Sequence, residues 1–367
     1  MLGVAVVGTG FGQKVHIPGF QAHHHTQVVA VYHRDINKAQ AIATTHNIPL
    51  ASDRLTDILE QPEVQAVSIA TPPFLHYQMA KEVLQAGKHL LLEKPTALNA
   101  TEAKELYQLA KQQNLVAMLD FEFRFVPEWQ FLAQLLTNGY VGQLRLVKVD
   151  WFGSSRADPD RAWNWYSAQE LGGGVLGSLG SHTFDYLHWL FGPVRRLNAH
   201  LSTAIPTRLD PINGALKPVN SDDVCLLSLE LADGTPSQVS LSAVIHASRT
   251  HALEVYGDRG TLVLESNHQK DYIYGLRLWG AHIGQPLIEL DIPTELLFPH
   301  NPDNYSDGRI CAYIRVVDQW VKGIVHRQQV VPSLSEGVYS QLLMDLSHQS
   351  HTTASWVDVP GLADFLG

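Results

Sequence analysis

The first dozen residues constrain the fold more than any other part of the chain. Leu2 to Val7 is an unbroken apolar run, as a strand buried on both faces requires. It leads directly into Gly8-Thr9-Gly10-Phe11-Gly12-Gln13, and helical spacing is expected from about Val15. Glycines between a buried strand and a helix permit a tight turn and let backbone N–H groups approach a pyrophosphate. The positive end of the helix favours that anion further. The turn therefore predicts a dinucleotide-binding unit rather than a purely structural glycine bend. Its third glycine is displaced: Gln13 stands where GxGxxG would end, and Gly12 lies one place early.

Alternating strands and helices follow. Strands are predicted over 27–32, 64–70, 89–92 and 115–119, and helices over 35–46, 76–86 and 101–113. Thr71-Pro72-Pro73 ends one strand and Glu93-Lys94-Pro95 another. This alternation predicts an α/β domain with a doubly wound parallel sheet over residues 1–120. The pattern then changes. Helices are predicted over 127–138, 175–191, 309–324 and 335–351, and strands over 143–152, 194–204, 222–232, 236–246, 251–256 and 260–265. The turn Gly257-Asp258-Arg259-Gly260 joins the last two strands as a hairpin. Residues 121–367 are thus expected to form an α+β domain on a large, mostly antiparallel sheet, with surface loops over 206–221 and 293–308. A chain of 367 residues is long for one core, which supports two domains.

Composition narrows the partners. The formal charge is −10 with no basic block, so a nucleic-acid or anionic-membrane partner is not expected. No apolar run approaches the roughly 18 residues of a spanning helix. The apolar N-terminus lacks the basic start of a signal peptide. Cys225 and Cys311 are the only cysteines, which fits a reducing cytoplasm. His23-His24-His25 is read as a solvated loop, because adjacent histidines do not converge well on one ion and no further ligand has suitable spacing. No metal is expected.

The second predicted strand ends in His33 and Arg34, where an NAD site would carry an acidic residue for the ribose 2′-hydroxyl. A cation there favours a 2′-phosphate, so NADP(H) is the expected cofactor. Asp35 lies one residue on and keeps NAD(H) as the alternative.

Several motifs together carry a family resemblance. They are Ala86-Gly87-Lys88-His89-Leu90-Leu91-Leu92-Glu93-Lys94-Pro95, Thr71-Pro72-Pro73-Phe74-Leu75-His76, Gly172-Gly173-Gly174-Val175-Leu176 and Gly180-Ser181-His182-Thr183-Phe184-Asp185. With the glycine turn and Trp356-Val357, the chain resembles the Gfo/Idh/MocA oxidoreductases along nearly its whole length. The resemblance implies a Rossmann domain, a second domain on a mostly antiparallel sheet, and a homo-oligomer (dimer or tetramer) joined through that sheet. It places the nicotinamide near Thr71, Pro72 and His76, with Glu93 and Lys94 alongside, and it matches Trp165 to a cofactor-touching tryptophan. It gives Lys94 a proton-transfer role and matches His182 to an active-site histidine.

Lys94 suits that role if burial or a nearby cation lowers its pKa toward neutrality. Asp185 shares a helix face with His182 and is either its orienting group or a surface contact. Glu122 and Arg124, read as i, i+2 of an extended segment, either reach substrate or pair with each other. Two departures stand out: Ser178 replaces an aspartate common in active relatives, and Tyr166 stands where arginine is usual. The expected function is hydride transfer between a nicotinamide and a CH–OH/C=O group of a small molecule, such as a sugar or polyol. The alternatives are a dinucleotide-binding sensor without turnover, or other chemistry on this scaffold such as bilin reduction or NAD-dependent glycoside cleavage.

Overall fold

Val4 and Val6 pack into one hydrophobic core, and Ala5 and Val7 into another. This two-residue alternation places the first strand in the middle of a sheet covered on both faces. The computed structural model describes all residues except 249, 267 and 269–274. Six strands, β1 (Leu2–Val7), β2 (Thr26–Tyr32), β3 (Leu50–Ser52), β4 (Ala66–Ile69), β5 (His89–Leu92) and β6 (Ala117–Leu119), form a parallel sheet. Their order is β3-β2-β1-β4-β5-β6, the doubly wound arrangement whose ligands bind where the order reverses, beside β1 and β4. One core lies under helices Leu55–Leu59, His76–Gln85 and Ala100–Gln112. The other is filled by Val15, Ile17 and Phe20 from the first helix and by Ile310, Tyr313, Val316, Val317 and Trp320.

That second set corrects the expected boundary. The first unit comprises Met1–Phe125 and Phe298–Gln341, and the second Val126–Leu297 and Leu342–Gly367. Helix Arg309–His326, assigned from sequence to the second domain, has a 3.6-residue apolar stripe that fills the first unit's core. β3 was also unexpected. Its three residues are too few to show a period.

In the second unit, β7 (Leu144–Phe152), β8 (Val194–Ser202), β9 (Thr207–Leu209), β10 (Leu216–Pro218), β11 (Val224–Leu231), β12 (Pro236–Ser242), β13 (His251–Gly257), β14 (Gly260–Ser266), β15 (Leu276–His282), β16 (Ile288–Glu289) and β17 (Val357–Asp358) follow in chain order. Nine of them form one sheet, β16-β15-β14-β13-β7-β12-β11-β8-β17, antiparallel except between β7 and β12. Val147, Val149 and Trp151 alternate with less buried neighbours, as one covered face dictates. β9 and β10 form a hairpin inside 206–221, where a loop was expected, because only three residue pairs carry it. The 257–260 hairpin turn lies between β13 and β14 as expected. Among the described residues, no helix is long and apolar enough to cross a membrane.

Candidate active site

The glycine turn closes β1 in a form only glycine adopts easily. Gly8 has φ +105°, and a Cβ there would run into the Ala70 carbonyl oxygen at the end of β4. Gly12 faces Val6 and Ala70, where a Cβ would sit 3.2 Å from Val6 Cγ1. It therefore supplies the close helix-to-sheet packing that the missing third glycine would have provided. The helix begins earlier than expected, with a wide π turn over Gly12–His16 that continues into Ile17–Ala22. Nothing lies within 4 Å of a Cβ built on Gly10, and Gly10 is exposed. The neighbouring Thr71 hydroxyl is buried and has no hydrogen-bond partner among the described residues. An open backbone cradle with an unanswered hydroxyl beside it fits a dinucleotide. Thr9, Phe11 and Gln13 are half-buried around it.

At the end of β2, Asp35 is committed to local structure. Its Oδ1 accepts from the Asn37 N–H at 3.0 Å and caps helix Ile36–His46. The His33 Nδ1 accepts from the Asp35 N–H at 3.0 Å. Arg34 is exposed, and its side chain has no partner among the described residues.

Two turns follow β4 and β5. Pro72 and Thr71 are half-buried in the first. His76 is fully buried, with Nε2 2.8 Å from the Thr71 carbonyl and Nδ1 2.7 Å from the Pro95 carbonyl. Burial lowers its pKa, and its ring ties the two turns together. The Lys94–Pro95 bond is cis. Lys94 is half-buried at the carboxyl end of β5. Burial pushes its ammonium pKa down, while Glu93, Glu122 and Asp120 oppose that and Arg309 adds to it. Glu93 turns inward: Oε2 accepts from the Lys94 N–H at 3.2 Å, and Oε1 lies 3.1 Å from His16 Nε2.

His16 and Asp120 were missed by sequence reasoning. His16 is wholly buried, 3.6 Å from Asp120 Oδ2 and stacked on Tyr313. The only sequence cue was a histidine inside an otherwise apolar helix start. Glu122 and Arg124 lie on a 3-10 turn, Glu122–Phe125, rather than an extended segment. Three residues per turn separates i and i+2 by roughly 120°, so the two do not share a face. The expected solvated histidine run is also partly corrected: His23 is buried, with Nε2 3.7 Å from Asp318, while His24 and His25 are exposed.

In the second unit, the segment 172–176 is pinned from both sides. A Cβ on Gly173 would meet the Tyr166 carbonyl, and one on Gly174, at φ +108°, would meet Asp222. The Val175 N–H donates to the Asp222 carbonyl at 2.9 Å, and the Leu176 N–H to Asp222 Oδ2 at 2.7 Å. Burial raises the Asp222 carboxyl to about 6. A second π turn, Leu176–Gly180, then enters helix Ser181–Phe191. His182 is buried near its start, its ring 6.1 Å from that of Trp151, and Asp185 is buried one turn on. Trp151 also stacks on buried His251 at 4.2 Å. Trp165 is half-buried, 5.8 Å from the Tyr166 ring. The two departures from the family pattern meet: the Tyr166 hydroxyl lies 2.9 Å from Ser178 Oγ. The Arg156 guanidinium sits over the Tyr166 ring at 3.8 Å. Burial holds the tyrosine hydroxyl well above its ordinary pKa.

The comparisons with known proteins divide the chain into two contiguous parts. Residues 2–121 match the model of an oxidoreductase family with an NAD-binding Rossmann fold, and residues 133–359 match that family's C-terminal alpha/beta domain. An uncharacterised oxidoreductase of Synechocystis is 54% identical over 98% of this chain and 97% of its own. A levoglucosan dehydrogenase of Pseudarthrobacter phenanthrenivorans is 27% identical over 83% of each. The structure of a levoglucosan dehydrogenase with NADH and levoglucosan superposes with a TM-score of 0.88 at 25% identity, over 98% of this chain and 99% of that one.

Proposed function

The chain belongs to the Gfo/Idh/MocA oxidoreductase family, and from that premise we propose that it transfers a hydride between NADP(H) and a CH–OH/C=O pair of a sugar or polyol. One observation carries the reading. Lys94, its ammonium disfavoured by burial, lies at the carboxyl end of β5, in the same sheet whose β1 ends in the glycine cradle. The bound nicotinamide supplies the hydride chemistry. Gly8 to Gln13 hold the pyrophosphate through backbone N–H groups, and Thr71 offers its hydroxyl. Glu93 fixes the backbone N–H of Lys94, and Lys94 takes the hydroxyl proton in oxidation or returns it in reduction. The family resemblance gives His182 a share in handling that proton and Trp165 a contact with the cofactor. Asp35 spends its carboxylate on a helix cap while Arg34 stays exposed, which supports NADP(H) over NAD(H). The levoglucosan dehydrogenase relative supports an anhydrosugar, sugar or polyol as substrate.

The test is nicotinamide absorbance with purified protein, each cofactor and a panel of sugars, anhydrosugars and polyols. Turnover with one class, and a kcat lowered by about 10²–10⁴ in Lys94→Met, is the expected result. Dinucleotide binding without turnover on any member would replace this reading with that of a sensor.

A further inference from the structure

Behind the Glu93-Lys94-Pro95 turn, Glu93 meets two further ionisable side chains, His16 and Asp120, that take no direct part in hydride transfer. His16, Glu93 and Asp120 are all buried, and each offers a ligand or proton-bearing atom within 4.8 Å of the others. They come from three separate places, the first helix and the ends of β5 and β6, so the topology brings them together. Each His16 nitrogen is engaged: Nδ1 is 2.8 Å from Ser68 Oγ, and Nε2 is 3.1 Å from Glu93 Oε1. The Ser68 hydroxyl is itself 3.3 Å from the Tyr313 hydroxyl. Asp120 is 1% exposed; His16 Nε2 lies 3.6 Å from its Oδ2, and among the described residues neither carboxylate oxygen has a hydrogen-bond partner.

An ionised carboxylate with both oxygens buried and without a hydrogen bond is costly. Two ionised carboxylates at this separation would repel each other as well. One imidazolium balances only one of them. The arrangement is neutral if His16 is charged, Glu93 is ionised and Asp120 keeps its proton.

We propose that His16, Glu93 and Asp120 form a buried, charge-balanced triad in which Asp120 is a neutral acid, and that this balance positions Lys94 and sets the charge it faces. The inference rests on the proposed proton-transfer role of Lys94. His16 and Asp120 are positioning residues. They act through Glu93, whose other oxygen accepts from the Lys94 N–H at 3.2 Å. The charges facing Lys94 are Glu93, Glu122, Asp120 and Arg309, with His76 on the neighbouring turn. Burial opposes charge on His16, and the neighbouring Asp120 and Glu93 side chains outweigh it and raise the imidazole to about 9; with Asp120 neutral, the charge that holds the imidazolium is that of Glu93. Burial and the Glu93 charge hold the Asp120 carboxyl well above its ordinary value. Glu93, despite burial, is held low by His16.

Two variants test this. Asp120→Asn replaces a neutral acid by a neutral amide. The infrared difference between wild type and this variant at neutral pH should contain the carbonyl band of a protonated carboxylic acid. Its kcat/KM profile against pH should keep the wild-type acid limb. His16→Gln removes the cation and leaves a net negative charge beside Lys94, which should move the acid limb of the oxidation profile up by about 1 pH unit with KM little changed. Absence of the protonated-acid band overturns the proposal. So does an Asp120→Asn profile displaced as far as that of His16→Gln, and so does stoichiometric divalent metal in purified wild-type protein that Asp120→Asn loses. The infrared and metal measurements need only folded protein. If no substrate turns over, the catalytic reading fails while the triad is still judged.

Discussion

Asp222 is a buried carboxyl whose removal should stabilise the protein, and by an amount that depends on pH. The carboxyl is raised from its ordinary 3.8 to about 6, chiefly by burial. At about 1.36 kcal/mol per pH unit this corresponds to roughly 3 kcal/mol spent on ionising it in the folded state. The sign follows from proton counts. Between pH 4 and 6 the folded chain holds a proton that the unfolded chain has lost, so stability falls as pH rises and levels off above 6. Asp222→Asn has no charge to ionise, and its amide oxygen can still accept from the Leu176 N–H, where Oδ2 now accepts at 2.7 Å. The variant should exceed wild type by about 3 kcal/mol at pH 7.5 and by about 1 kcal/mol at pH 4.5. Urea titrations at both pH values read the difference, and every titration shared by the two proteins cancels. An advantage equal at both pH values, or a loss at both, would refute the reasoning. It would mean that Asp222 is ionised at little cost, or that the amide cannot replace the carboxylate over the 174–176 segment.

Three other outcomes are expected. Gly8→Ala combines a positive φ with a clash against the Ala70 carbonyl and should cost about 2–5 kcal/mol, read as a lower denaturation midpoint. Arg34→Ala should weaken NADPH binding about 10- to 100-fold while leaving NADH binding unchanged, measured by calorimetry; equal effects on both would return the ribose site to Asp35. His251 is lowered to about 3 by burial, so it stays neutral in the fold while the unfolded chain takes up a proton below pH 6.5. Stability is therefore lost as pH falls. The loss is about 2 kcal/mol by pH 5, and His251→Gln should abolish it in urea titrations at pH 5 and 7.5.

What the sequence revealed and what it hid divide along physical lines. β1 was legible as an unbroken apolar run, and β7 and helix Arg309–His326 by their period, because one face of each must be apolar. Their partners were not: the stripe on Arg309–His326 says that it is buried, not in which unit, and only the core formed with Val15 and Phe20 places it in the first. The site behaved in the same way. Glu93, Lys94 and His182 stand in motifs that can be read in the sequence, whereas His16 and Asp120 meet only when three separate segments converge. Ser178 and Tyr166 carry this furthest. As single positions, each looked like the loss of a charged group. Together they are one hydrogen-bonded pair, 2.9 Å apart, beneath a stacked Arg156. The pair itself is neutral, so a carboxylate missing at 178 leaves no cation at 166 unbalanced, and the Arg156 guanidinium over the Tyr166 ring brings its own charge. Ser178 alone is therefore weak grounds for reading the site as inactive, because its absent charge is matched by the absent charge on its partner.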